Sequence, residues 1–240
     1  MILMYKFALS ALALGAVAMS SAQALMYDSV PATVTNYFAP GGATNQAGNT
    51  ITRLMADDID MIDAFPGAQI TSFAFTLVNA NTTTVSFRPR VRFYALTGTT
   101  ATTLGNYITG YTLNPVSMTA NSATTYTVNI GPGFNVPNNF FLWAGLTFDN
   151  NTGATGATAT QLDNIGWAVG QPSVGTSDDI FFRTTAAGSF VGGNPAGGYL
   201  FFNGNPPANF AFRLNAVPEP ASMIALGAGL LAMMRRRRAA

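Results

Sequence analysis

Residues 85–96 alternate between apolar and polar side chains with a period of two. This period is typical of a β-strand with one buried face, because successive side chains of an extended chain point to opposite sides. The predicted buried face consists of Val85, Phe87, Val91, Phe93 and Ala95. The opposite face consists of Ser86, Arg88, Arg90, Arg92 and Tyr94, and its arginines are expected to face water. Truncating an arginine in water should change the stability by well under about 1 kcal/mol.

Pro89 interrupts this run, and a similar run precedes it in the sequence. Proline cannot donate to a ladder of hydrogen bonds, so residues 85–96 are predicted to form an edge strand or to contain a bulge. Residues 68–78 also place large apolar side chains on one face, and residues 79–82 between the two runs have turn chemistry. We therefore predict that the two runs form a hairpin.

Eight further short runs are predicted strands, and clusters of glycine, asparagine and proline separate them. These runs are residues 51–59, 107–113, 124–130, 140–148, 161–169, 179–184, 198–202 and 209–215. Between residues 25 and 216 no stretch shows a sustained helical period. About ten short strands with turns at this spacing predict an all-β fold, an antiparallel β-sandwich of jelly-roll type.

The composition of residues 25–216 excludes most catalytic chemistry. This segment contains no Lys, Glu, His or Cys, and its six arginines and nine aspartates give a net charge of −3. A mildly acidic body argues against a nucleic-acid partner. The usual nucleophile–base pairs and zinc ligand sets cannot be assembled, so a non-enzymatic protein is predicted. The enzymatic alternative is an aspartate-only hydrolase in which Asp57 meets Asp178 or Asp179.

Four carboxylates, those of Asp57, Asp58, Asp60 and Asp63, lie within seven residues. Calcium takes oxygen ligands, so these four are candidate calcium ligands, and no other cofactor is predicted. In a strand, Asp58 and Asp60 share one face while Asp57 and Asp63 share the other, so a single ion requires a bend in the chain. The alternative is a solvated, negatively charged strand end.

The calcium hypothesis predicts an effect of metal removal. If the four carboxylates hold calcium, a chelator should lower the melting temperature, because a ligand that binds only the folded state stabilises it. Thermal melts with and without EDTA measure this effect, and an unchanged melting curve would reject the site.

A second candidate surface is the arginine row on residues 85–96. Arg88, Arg90 and Arg92 are spaced about 7 Å apart and could contact an acidic polysaccharide beside Tyr94. The alternative is an edge strand that its charges protect from aggregation. Trp143 and Trp167 are the two tryptophans that could stack on sugars, although the apolar surroundings of Trp143 favour a core position. These residues support the alternative of a carbohydrate-binding module, with or without calcium dependence.

Residues 217–240 have three parts in a fixed order. A stiff turn, Val217, Pro218, Glu219 and Pro220, precedes the uncharged residues 221–234. The third part consists of Arg235, Arg236, Arg237 and Arg238. As a helix, residues 221–234 would span about 21 Å, short of the roughly 30 Å of a bilayer core. We predict a short transmembrane helix that serves as a transient anchor, with its arginines on the cytoplasmic side.

This arrangement resembles the PEP-CTERM sorting signal of Gram-negative bacteria. The resemblance covers about one-tenth of the chain and assigns no family to the rest. It implies that exosortase, a membrane protease resembling a transpeptidase, cuts the chain at the PEP motif. It also implies a location at the cell surface, in the outer envelope or in the extracellular matrix. The alternative is an ordinary C-terminal membrane anchor.

Residues 1–24 have the pattern of a signal-peptide helix. Lys6 precedes an apolar run, and the segment ends in the small residues Ala22 and Ala24 around Gln23. We predict cleavage by signal peptidase after Ala24 and export across the inner membrane. The predicted organisation is a signal peptide (1–24), a β-sandwich body (25–216) and a sorting signal (217–240). The predicted role is structural or adhesive, at the surface or in a matrix that contains polysaccharide.

Overall fold

A computed structural model describes residues 23–61, 67–95, 104–150, 156–190, 195–204 and 206–217. In these ranges the chain forms strands and one short helix, α1 (Ala159–Asp163). The strands are β1 (Ala24–Asp28), β2 (Tyr37–Phe38), β3 (Thr44–Gln46), β4 (Asn49–Ile51), β5 (Arg53–Asp60), β6 (Gln69–Asn79), β7 (Val85–Ala95), β8 (Tyr107–Thr112), β9 (Val116–Met118), β10 (Ser122–Asn135), β11 (Phe141–Asp149), β12 (Ile165–Ala168), β13 (Phe181–Ala187), β14 (Gly197–Leu200) and β15 (Phe212–Val217).

These strands form two antiparallel sheets. The first has the order β1-β15-β6-β12-β2, and β10 runs along the other side of β6. The second has the order β14-β13-β5-β11-β4-β3, and β7 joins it beside β11 while pairing with β8 and β9 on its other side. The all-β class and the antiparallel pairing are confirmed. The jelly-roll order stays a prediction.

Aromatic side chains fill the core between the sheets. The ring of Phe93 on β7 lies 5.5 Å from that of Phe73 on β6 and 6.0 Å from that of Phe212 on β15, between ring centroids. All three side chains are fully buried. The apolar face predicted for residues 85–93 is therefore confirmed as a core face, and each such side chain contributes about 1.5–3 kcal/mol through its burial.

The centre of the second sheet is covered on its outer face as well. A smaller apolar cluster lies there, built from Leu54, Ala56, Tyr94, Leu104, Trp143, Ile180 and Phe182. Strand β5 is consequently buried from Leu54 to Ile59 and shows no alternation of exposure. Strands that are covered on both faces lose the period-two pattern, because no side chain is left to face water.

The predicted hairpin of residues 68–78 and 85–96 is wrong. Strand β6 belongs to the first sheet and β7 to the second, so the turn between them carries the chain across the core. Buried Asn79 holds this crossing, because its Nδ2 donates to the carbonyls of Met118 (3.0 Å) and Thr119 (2.9 Å) while its Oδ1 accepts from the Asn81 N–H (3.0 Å). The turn residues therefore supply the hydrogen bonds that stabilise the connection between the two sheets.

Of the two alternatives predicted for residues 85–96, an edge strand or a bulge, the edge position is wrong. Strand β7 has β11 on one side and both β8 and β9 on the other. Pro89 lies opposite Phe148 of β11 and, on the other side, between the segments that pair with β8 and with β9. Its carbonyl accepts the Leu113 N–H at 3.0 Å. An interior strand can contain this proline because it falls at a break in the ladder on one side.

The predicted strand 161–169 begins with a helix instead. Thr158 caps α1: its side chain accepts the Gln161 N–H, and the Gln161 side chain accepts the Thr158 N–H, at 3.2 and 3.0 Å. This reciprocal pair is a capping box, whose Thr-x-x-Gln signature precedes the apolar run. Only Ile165–Ala168 is strand.

No helix in the ranges that the structure describes is long and apolar enough to cross a membrane. Residues 1–22 of the predicted signal peptide and the predicted tail helix, residues 221–234, lie outside those ranges, whereas Ala24 is the first residue of β1.

Candidate functional site

The last described strand leads directly into the sorting signal. Strand β15 ends at Val217, whereas Pro218, Glu219, Pro220 and Arg235 to Arg238 lie outside the described residues. In β15, Phe212, Leu214 and Ala216 are fully buried. The strand is interior, because β1 pairs with one side of it and β6 with the other. The first residue of the predicted sorting motif is therefore part of the folded sheet.

The two predicted processing points are neighbours in this sheet. Ala24 at the start of β1 pairs with Ala216, and Leu25 pairs with Asn215. Cleavage after Ala24 would leave Leu25 as the first residue of a strand that is already paired with β15. Ala22 lies outside the described residues, and cleavage at this point stays a prediction.

Three of the four predicted calcium ligands lie on β5, and each accepts a separate set of hydrogen bonds. Asp57 accepts the Phe210 N–H at 2.8 Å. Asp58 accepts the Asp178 N–H at 3.0 Å and the Ser177 hydroxyl at 3.2 Å. Asp60 accepts the Thr176 hydroxyl at 3.0 Å. These carboxylates therefore hold the segment before β13 and the segment before β15 against β5.

This arrangement differs from the predicted calcium site. Among the residues that the structure describes, no three acidic, histidine or cysteine side chains are grouped to hold a metal ion. Asp57 is fully buried, on the same face of β5 as the core residues Met55 and Ile59. Asp63 lies outside the described residues. Backbone and hydroxyl donors hold Asp57, Asp58 and Asp60, and calcium binding by the four carboxylates stays a prediction.

Two of these carboxyl groups have strongly shifted pKa values. Burial, together with the charge of Asp178, raises the pKa of Asp58 to about 7, although the hydrogen bonds from the Asp178 N–H and from Ser177 act in the opposite direction. Burial, together with the charge of Asp58, also raises the pKa of Asp57 well above its ordinary value. A buried carboxyl group close to another negative charge favours the protonated form, because its own charge is poorly solvated and is repelled by its neighbour.

We expect the body to lose stability as the pH rises from about 4 to about 7. The unfolded carboxyl has a pKa of about 3.9, so in this window the folded state keeps a proton that the unfolded state releases. One such group changes the free energy of unfolding by about 1.4 kcal/mol per pH unit. Urea denaturation across this pH range measures the slope.

The matched variant for this measurement is Asp58→Asn. The amide keeps an acceptor for the Asp178 N–H and can donate to Ser177, but it does not titrate. The slope should therefore flatten, and the stability near pH 7 should rise relative to the wild type. A wild-type protein whose stability increases from pH 4 to 7 would contradict the buried, protonated state.

The predicted solvent exposure of the arginine row is wrong. Arg88 and Arg90 both bind the carboxylate of Asp149 on the adjacent strand β11. The Arg88 Nε lies 3.0 Å from Asp149 Oδ1, and the Asp149 side chain is fully buried. The side chains of Arg88 and Arg90 are 21% and 16% exposed. They act as counterions for a buried charge, and Asp149 is a partner that the sequence pattern did not indicate.

Arg92 is almost completely buried. Its guanidinium donates to the carbonyls of Val91 (2.8 Å), Tyr111 (3.2 Å) and Ser189 (3.1 Å). Burial lowers its pKa from the ordinary arginine value. Gly110 makes room for it, since a Cβ at that position would lie 2.5 Å from the Arg92 Cδ. The arginine therefore ties the segment at Ser189 to β7 and does not present its charge to a ligand.

The two tryptophans are core residues. Trp143 and Trp167 are fully buried. The Trp167 ring stacks on Phe210 with centroids 4.9 Å apart, and its Nε1 donates to the Ala211 carbonyl at 2.9 Å. Neither ring is open to a sugar. The large aromatic side chains that the structure leaves exposed in the described ranges are Tyr37 and Phe201.

Comparison with known proteins identifies the tail. Residues 216–238 match the family model of the PEP-CTERM protein-sorting motif, which confirms the resemblance found in residues 217–240. The match leaves the body without a family. No curated protein and no solved structure matches the chain. The motif supports a bacterial protein that is exported, sorted to the cell surface and processed by exosortase.

Proposed function

We propose that this chain is a non-enzymatic structural or adhesive protein of the cell surface or extracellular matrix of a Gram-negative bacterium. Signal peptidase removes residues 1–24, and exosortase cuts at the PEP motif, transferring the acyl group to water or to an amine. The motif match at residues 216–238 is the observation that carries this proposal. The body is the part of the chain that is delivered to the surface, and the tail anchors it temporarily in the membrane.

The use of the aspartates supports a structural role for the body. Carboxylates are acceptors that hold loops: Asp179 accepts the N–H groups of Phe202 (3.2 Å) and Ala208 (2.6 Å), and Asp163 accepts that of Ala43 (2.7 Å). Such long-range links stabilise a body that has no cysteine for disulfides. Carboxylates used in this way support a role in holding the fold together.

The aspartate-only hydrolase receives little support from this geometry. A catalytic carboxyl must reach its substrate, yet Asp57 is fully buried. Of its two predicted partners, Asp178 and Asp179, the second already accepts two backbone N–H groups. A polysaccharide partner in the matrix remains part of the proposal, with the exposed rings of Tyr37 and Phe201 in place of the buried tryptophans as the stacking candidates.

We expect the mature protein to begin near Leu25 and to end near Val217, without residues 221–240. Intact-mass analysis of the surface or extracellular fraction measures both ends. A strain without exosortase is the control and should accumulate a species that retains the tail. A surface-derived species that still carries Arg235 to Arg238 would contradict the sorting role and indicate a plain membrane anchor.

The four terminal arginines provide a second variant for this experiment. Replacing Arg235 to Arg238 by neutral residues removes the charges that orient the anchor, so processing and retention should be impaired. Unchanged processing would show that these arginines are not part of the signal.

A further inference from the structure

The matched sorting motif and the folded sheet share two residues. The motif begins at Ala216, whereas β15 extends to Val217. Ala216 pairs with Ala24 of β1 on one side and with Ile70 of β6 on the other, and Val217 pairs with Gln69. Ala216 is also fully buried. The start of the motif is thus inside a three-stranded part of the sheet rather than on a linker.

Very little chain separates this sheet from the predicted membrane helix. Residues 218–220 span at most about 10 Å when extended. While β15 stays paired as far as Val217, the end of this strand would lie within that distance of the membrane surface. A membrane protease that cuts at the PEP motif would have to fit into this gap.

Proteolysis favours exposed, unpaired chain, and a paired strand is cut through its transiently opened form. Ala216 is paired on both sides and Val217 is paired with Gln69, so these two residues cannot lie in a protease cleft while the pairing holds. The pairing with β6 shifts register between Asn215 and Ala216, at the point where the motif begins. A bulge of this kind interrupts the ladder, so it offers a place where the strand end can separate.

We infer that exosortase cuts this chain only while β15 is detached from β6 at least as far back as Asn215, so that docking of β15 competes with processing. This inference rests on the proposed function and adds its regulation. Once β15 is paired in the sheet, the folded body prevents cleavage at the PEP motif. A chain that folds before it meets exosortase keeps its anchor for longer. A chain that is cut early folds β15 after release.

A disulfide across β6 and β15 tests the inference directly. Ser72 and Asn215 are paired residues, and the Asn215 Nδ2 lies 3.1 Å from the Ser72 Oγ. The natural chain has no cysteine, so Ser72→Cys with Asn215→Cys introduces one defined bridge that leaves the matched motif unchanged. The full-length precursor is placed in membrane vesicles that contain exosortase, and loss of the tail is followed by intact mass. Oxidised precursor should be cut at least about tenfold more slowly than the same precursor after reduction, because the bridge suppresses the open form.

The matched control is a bridge from the same strand β6 to its other neighbour. Thr76 of β6 pairs with Thr125 of β10, and their hydroxyl oxygens are 2.8 Å apart. Thr76→Cys with Thr125→Cys should stabilise the body without holding β15, so its oxidised form should be cut like the wild type. Slow cutting of both oxidised proteins would show that overall stability, rather than β15, controls processing, and would overturn the inference.

The remaining outcomes separate this inference from the proposed function. If exosortase cuts the wild type and the oxidised Ser72–Asn215 variant at equal rates, β15 need not detach and the inference fails alone. If exosortase cuts neither the wild type nor the reduced variants, the proposed function fails and the inference fails with it. Slow cutting confined to the oxidised Ser72–Asn215 variant supports both.

Discussion

Replacing Phe93 by Ala should lower the free energy of unfolding by about 3–5 kcal/mol. Phe93 is fully buried between the sheets, and the ring of Phe134 lies 4.8 Å from its own, in addition to those of Phe73 and Phe212. The shorter side chain leaves a cavity that these packed rings can fill only partly. Equilibrium denaturation in urea measures the change, which is a large part of the 5–15 kcal/mol typical of a domain.

Phe201→Ala is the control for this prediction. The Phe201 side chain is 60% exposed, so its removal should change the stability by no more than about 0.5 kcal/mol. If the two variants lost similar amounts, Phe93 would not lie in the core and the face assigned to β7 would be inverted.

Replacing Asp149 by Ala should also lower the free energy of unfolding by about 3–5 kcal/mol, because it leaves the guanidinium groups of Arg88 and Arg90 without their shared counterion.

Arg90→Ala removes one of the two cations from a fully buried carboxylate and should lower the free energy of unfolding by about 1–3 kcal/mol. The sequence pattern had predicted well under 1 kcal/mol for this arginine, since it placed the side chain in water.

A double-mutant cycle separates the ion pair from the rest of each side chain. The loss for the double variant should be smaller than the sum of the two single losses, because both single variants break the same contact. Additive losses would show that Arg90 and Asp149 stabilise the protein independently. Urea denaturation of the four proteins at one pH supplies the values.

The period-two pattern of β7 predicted its core face correctly because the direction of a side chain from a strand is a local property. The covering of the opposite face could not be predicted in the same way. Asp149 is 59 residues from Arg90 along the chain, and only the pairing of β7 with β11 brings them together. The same holds for Ser189, whose carbonyl holds Arg92.

The turn after β6 shows the same limit. The residues at 79–82 predicted a change of direction, and the chain does turn there. Whether the next strand pairs with β6 or crosses to the other sheet depends on distant acceptors, the carbonyls of Met118 and Thr119, which the Asn79 side chain reaches. Turn chemistry is local, whereas the choice of a strand's partner is a long-range competition among all the strands.

The sequence showed that Asp57, Asp58 and Asp60 form a crowded acidic segment, but their pKa values depend on how deeply each side chain is buried. Desolvation alone can separate the pKa of a buried carboxyl group from that of a carboxyl group in water by several units. The burial of Asp57, on the core face of β5, follows from the packing of the two sheets.

The sequence by itself determined the sorting signal, because a turn, a short apolar segment and a charge cluster act in linear order and need no distant partner. It also determined the all-β class, since strand periodicity and turn residues are local. Only the tertiary structure decided that the signal begins inside β15, between β1 and β6. The physical reason is that the end of a strand becomes inaccessible when it forms hydrogen bonds to strands from distant parts of the chain. The local sequence of the tail does not reveal which strands those are.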